Sequence, residues 1–198
     1  GASKGEGLGN QFLGNIRECA AIVEVVRCFE DENITHVDGS IDPLRDISTI
    51  ETELLLADLE TVQRRLEKLQ KLCRTSKEAR PLAEMVEKLA AHLNEGNPAQ
   101  SFEWNSEDDA ARNLWREMGL LTAKPVIYCA NVDEDGLGGN ELTARVEAYA
   151  KEHNSGFAII CARLEEELQG LEEEEQKEML ASYGIEASGL ESVIQAGY

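Results

Sequence analysis

Apolar positions along the chain fall into two patterns, short unbroken runs and longer stripes with helical spacing. Ile22, Val23, Val25, Val26 and Cys28 crowd into residues 21–29, and comparable runs fill 126–132 and 156–162. Runs this short and continuous predict strands covered on both faces. Between the first two runs, Leu55, Leu59, Val62, Leu66, Leu69 and Cys73 alternate spacings of four and three, the seam of a coiled-coil-like helix over about 44–73. Such a stripe needs a partner, and Leu82, Val86, Leu89 and Leu93 supply one on a second helix that stops at Gly96, so the two are expected to fold back as an antiparallel hairpin. Pro81 is tolerated there only near the first turn.

A third helix is expected from Ser106, whose hydroxyl would cap it with Asp109 three residues on, to Gly119, burying Leu114, Trp115 and Met118. A short helix over 8–19 precedes the first strand, and one over about 141–153 joins the second and third. Strand, helix and strand in succession make a β-α-β unit. Parallel strands joined in this way imply a doubly wound α/β sheet, whose ligands gather beyond the carboxyl ends of the strands. Residues 164–198 are expected to form short helices punctuated by Gly170, Gly184 and Gly189, with Ser188 capping the last. Glu172 to Glu175 would start one of them, placing negative charge at the positive end of its dipole.

Composition narrows the function classes. The 198 residues, 42% of them hydrophobic, suffice for a real core, and a formal charge of −20 from 19 basic and 39 acidic residues disfavours direct nucleic-acid binding by this segment. Five cysteines at wide spacings include no C-x-x-C pair, so no zinc site is expected and a reduced, cytosolic compartment fits. No apolar run approaches the roughly 20 residues that cross a bilayer, so no membrane partner is expected. The chain opens on Gly rather than Met, with four glycines in its first ten residues, like the middle of a functional loop. Truncation is therefore expected.

Candidate chemistry lies after the strands. Asn131-Val132-Asp133-Glu134 follows the second apolar run. An Asn there can hydrogen-bond a purine edge, main-chain groups of the next residue can meet the ring, and a nearby carboxylate can discriminate between bases. A polar turn after a buried strand is the plainer account of the same residues. The phosphate-loop pattern G-x-x-x-x-G-K-[ST] occurs nowhere, and Gly5-x-Gly7 lacks both a preceding strand and a third glycine, position 10 being Asn10. His36, between Thr35 and Val37, sits in the polar loop after the first strand, where it could reach a terminal phosphate or simply be solvated; His92 and His153 lie on helical stretches as surface residues.

Taken in order, GASKGEGLGN at 1–10, FEDENITHVDGSIDPLRDI at 29–47, TAKPVIYCANVDEDG at 122–136 and the closing VIQAGY resemble the YchF or Obg-like ATPase family over essentially the whole chain. The resemblance implies part of the doubly wound parallel sheet of a P-loop NTPase G-domain, carrying an inserted α-helical hairpin domain. Residues 1–43 and 122–198 would then be G-domain parts and 44–121 the inserted domain. It also implies an internal piece, beginning after the phosphate loop, switch I and the metal-binding Asp, and ending before a C-terminal TGS domain.

The same resemblance assigns roles. The family prefers ATP because its base motif is N-x-x-E where GTPases have N-K-x-D; Asn131 matches the Asn, Val132 takes the place of the Lys, and Glu134 stands where the Asp would be. Cys161-Ala162 matches an S-A element whose main chain supports the base, with Cys161 a departure from Ser. Gly1, Gly5, Gly7 and Gly9 match the switch II segment, and His36 is the family's candidate for positioning water in place of the Ras glutamine. The intact protein would be a Mg2+-dependent, cytoplasmic, ribosome-associated ATP hydrolase, and this piece alone is expected to be inactive. Two alternatives stand beside it: a non-catalytic interaction module built on the hairpin, and an NTPase that prefers GTP.

Overall fold

A computed structural model of the chain describes residues 16–30 and 41–184, together with Gly189, Glu191 and Val193. In chain order its elements are β1 (Ile22–Arg27), α1 (Pro43–Leu72), α2 (Ala79–Asn94), α3 (Asp109–Met118), β2 (Val126–Asn131), α4 (Glu141–Glu152), β3 (Gly156–Ile160), α5 (Ala162–Leu168) and α6 (Glu173–Ser182). The described residues form two compact units: Thr49–Pro125 with the residues up to Ala20, and Ala21–Ser48 with Val126 onward. Gly1, Gly5, Gly7, Gly9 and His36 lie outside the described residues, as does Ser188.

The sheet unit holds three parallel strands in the order β1-β2-β3. β2 is central, and its four inner residues Ile127 to Ala130 are all buried, as an unbroken apolar run requires. β1 departs from the expectation of cover on both faces. Its side chains alternate, with Glu24 and Val26 buried and Val23 and Val25 left 43% and 53% exposed. Pleat geometry sends neighbours to opposite faces whatever their composition, so β1 has one covered face and one open one. The core around the sheet draws on Val26, Tyr128, Ala130, Val146, Leu164 and Leu180, with Ile47 from the start of α1.

Helix starts in this unit are set by side chains. Asp42 precedes α1 and accepts from the amides of Leu44 and Arg45, while Pro43 takes the first helical position, where its missing N–H costs nothing. At α4, Asn140 accepts from Thr143 N–H at 2.8 Å, and the Thr143 hydroxyl in turn faces the Asn140 amide at 2.8 Å, a reciprocal capping box. The Asn140 amide group also donates to the Cys28 carbonyl at 2.9 Å, tying the start of α4 to the end of β1. Glu173, Glu174 and Glu175 occupy the first turn of α6, as the acidic run predicts.

The helical unit closes on the predicted seam. Val62 and Leu69 of α1 meet Val86, Leu89 and Leu93 of α2 and Leu114 and Met118 of α3 in one buried cluster, and Leu55, Leu59, Leu66 and Leu82 pack against it. Gly96 at φ +92° and Gly119 at φ +56° follow α2 and α3 in backbone conformations that suit glycine. The start of α3 needs correction: it begins at Asp109 with Asp108 in the capping position, not at Ser106. Asn105 accepts from Glu107 N–H at 3.2 Å and forms a turn that takes up Ser106 first. Inside the unit, fully buried Asp58 accepts from Leu121 N–H at 2.8 Å, Thr122 N–H at 2.7 Å and the Thr122 hydroxyl at 2.5 Å. Among the described residues no helix is long and apolar enough to cross a membrane.

Candidate functional site

The strand ends define the site. Arg27, Asn131 and Ile160 are in register across β1, β2 and β3, so the chain leaves all three strands at one edge of the sheet. Two further hydrogen bonds extend the ladder past that edge, from Cys28 N–H to the Asn131 carbonyl at 2.7 Å and from Val132 N–H to the Ile160 carbonyl at 2.8 Å. Position 131 is thereby fixed on both sides by backbone.

Its side chain is fixed as well. The Ala162 N–H, the first of α5, has no partner within its own helix, and Cys161 at the capping position supplies no side-chain hydrogen bond. Asn131 fills that place from the neighbouring strand, its Oδ1 accepting from Ala162 N–H at 3.0 Å. A backbone N–H can only donate, so the amide orientation is determined: Oδ1 faces α5, and Nδ2 is the donor that Asn131 can offer a ligand.

Val132 is 2% exposed, with its side chain in the sheet core and its N–H on Ile160, so its carbonyl is what it can offer. The chain then turns sharply through Glu134–Gly136, with Gly136 N–H donating to the Asp133 carbonyl at 3.0 Å. A Cβ on Gly136 would stand 2.9 Å from Val132 Cβ, closer than side chains tolerate, so the turn can lie against Val132 only with glycine there. Glu134 is half-buried at its start.

Glu134 meets a residue that the motifs do not contain. Tyr183, exposed just beyond α6, has its phenol raised above the ordinary value, by desolvation and then by the nearby Glu134 carboxylate, with smaller contributions from Glu167 and Cys161. Tyr183 is placed by Leu180, one turn earlier and buried in the sheet core. Asn131 is thus bonded to Ala162, and Val132 to Ile160, the residue before Cys161, while Glu134 and Cys161 both lie near Tyr183.

The buried thiols are poor nucleophiles. Burial, then the charges of Asp46 and Cys129, push Cys28 up to about 11, and burial with Glu165 takes Cys129 to about 11, so both stay protonated at neutral pH. Among the described residues no group of three His, Cys, Asp or Glu side chains could hold a metal ion. None of them is assigned to magnesium.

No family model matches the chain. It is 45% identical over 202 residues to the ribosome-binding ATPase YchF of Bacillus subtilis (strain 168), 45% over 199 residues to that of Haemophilus influenzae and 43% over 199 residues to that of Escherichia coli O157:H7. Each match covers 100% of this chain and 54% of the relative, so the chain spans about half the length of the curated relatives it matches. The solved structure of the Schizosaccharomyces pombe YchF GTPase superposes with a TM-score of 0.81 at 34% identity, over 100% of this chain and 54% of that one.

Proposed function

The chain is homologous over its whole length to the YchF ribosome-binding ATPases and shares the fold of a YchF structure, and on that premise we propose that it carries the base-recognition part of an ATP-hydrolysing, ribosome-associated Obg-like NTPase. In this proposal residues 1–43 and 122–198 are G-domain parts and 44–121 is the inserted helical domain. The phosphates and Mg2+ are held by residues other than those described here, and the protein acts in the cytoplasm. The 198-residue chain by itself turns over no ATP, because catalysis in this class is mostly positioning and charge stabilisation around the phosphates.

The observation that carries the reading is the bond from Ala162 N–H to Asn131 Oδ1, which presents Nδ2 beyond the strand ends as a fixed donor for a purine ring acceptor. The relatives are named ATPases and the solved structure a GTPase, so the preference for adenine rests on the chemistry of the corner. The Val132 carbonyl is an acceptor, matched to the exocyclic amine of adenine and mismatched to the carbonyl of guanine. Glu134 is where a GTPase places the Asp that accepts from guanine, and here its carboxylate lies near the Tyr183 phenol. Cys161 and Ala162 act through their main chain.

The test is Glu134→Asp, carried in a full-length YchF protein containing this segment. The shorter side chain leaves Tyr183 and restores the guanine acceptor, and the ratio of GTP to ATP affinity should rise about tenfold, or ~1.4 kcal/mol. An unchanged ratio in paired titrations would remove Glu134 from base selection. The proposal extends to His36 as the residue that positions water, on the resemblance alone. His36→Ala in the same protein should lower kcat about tenfold, the worth of one hydrogen bond, with nucleotide affinity unaltered; a normal kcat withdraws the role.

A further inference from the structure

A second site lies within the helical unit and is independent of the nucleotide reading. Three of the described aromatic residues of this unit gather at one place: Trp104 stacks on Trp115 with ring centroids 4.7 Å apart and 18° between planes, and Phe102 lies nearly parallel to Trp115 at 6.3 Å. Beside the stack opens a pocket of about 280 Å³, with Leu82 and Met85 of α2 and half-buried Phe102 and Trp104 among its lining. Exposed Glu84, Glu103 and Asp108 also line it, against one lysine, Lys88.

This lining selects a cation in two ways. Indole and phenyl faces attract positive charge through the ring quadrupole, and the carboxylates add a Coulomb attraction that is strongest where the ligand excludes water. A neutral apolar ligand would strip water from the carboxylates without replacing its hydrogen bonds, and an anion would meet repulsion from them and from a chain of net charge −20. The volume falls just below the range of about 300–1,000 Å³ usual for drug-sized ligands, which suits one inserted side chain. Arginine fits better than lysine, because a planar guanidinium can stack on an indole while its edge forks to a carboxylate.

We propose that this pocket docks an arginine of a basic protein segment, the guanidinium lying against Trp104 with Glu84, Glu103 and Asp108 around it. Trp104 and Trp115 are the two tryptophans of the chain, so its intrinsic fluorescence reports on this cluster. The experiment titrates the 198-residue chain with a short amidated peptide of arginines spaced by glycines, beside a lysine version and an aspartate version. A saturable change in tryptophan emission is expected with arginine, weaker with lysine and none with aspartate. Glu84→Gln with Asp108→Asn should weaken arginine-peptide binding about tenfold, whereas Glu173→Gln with Glu174→Gln, the same charge change on α6, should weaken it less than about twofold. Binding without an emission change, equal weakening by the two double variants, or an emission change with a single-stranded RNA in place of the peptide would each overturn the proposal.

Discussion

Asn131→Ala and Asn131→Asp, carried in a full-length YchF protein containing this segment, are expected to raise the dissociation constant for ATP about a hundredfold while differing from each other in stability. Alanine removes both the Nδ2 donor that the proposal offers to the base and the Oδ1 acceptor that takes the Ala162 N–H at 3.0 Å. Aspartate keeps the acceptor and replaces the donor with a second, negatively charged acceptor. A hydrogen bond to a base edge, with the penalty for leaving a polar group unpaired under the bound ring, amounts to about 2–3 kcal/mol, which is the source of the hundredfold figure. The loss of the helix-start contact at α5 should cost Asn131→Ala about 1 kcal/mol of folding stability, a cost that Asn131→Asp escapes. Isothermal titration with ATP and denaturant unfolding of both variants separate the two effects. Near-normal ATP affinity in Asn131→Asp would show that this corner does not hold the base.

The corner was legible because two simple signals converge on it. An unbroken apolar run announces a buried strand, and parallel sheets bind ligands where such strands end, so Asn131 and Glu134 stand out by position alone. The hairpin was legible for a similar reason: the four-and-three spacing of Leu55 to Cys73 has few physical meanings besides a helix seam, and those residues do line or support the buried cluster. What escaped the sequence depended on contacts between distant positions or on competition between neighbours. Val23 and Val25 read as core by composition, yet the pleat gives the covered face of β1 to Glu24 and Val26. Ser106 reads as a cap, but Asn105 forms its turn first. Nothing near Tyr183 points to Glu134, because the meeting is arranged by α6 packing through Leu180 on the sheet core. Asp58 was hidden among the other acidic residues of a long, charged helix.

Asp58→Ala is expected to destabilise the helical unit by about 3 kcal/mol, the largest effect of a single substitution away from the corner after β2. The carboxylate is fully buried and gathers three donors from one turn, Leu121 N–H, Thr122 N–H and the Thr122 hydroxyl. The network continues, since Thr122 Oγ1 accepts from Ala99 N–H at 2.8 Å and so fixes a second loop. Removing the carboxylate orphans two backbone amides, and each buried unpaired donor costs about 1–3 kcal/mol. Asparagine is no rescue, because its amide oxygen can take one donor while its NH2 group faces the other. Burial outweighs the three donors and raises the Asp58 pKa from its ordinary 3.8. A folded pKa above the unfolded one means that unfolding releases a proton, so the contribution of Asp58 is fully present below that ordinary value and declines as pH rises through the raised one. The stability difference between the unaltered chain and Asp58→Ala, measured by urea unfolding across pH, should therefore be largest in acid and narrow toward neutrality while remaining substantial there. A difference below about 1 kcal/mol at every pH would mean that water or a relaxed turn satisfies Leu121 and Thr122 once the carboxylate is gone.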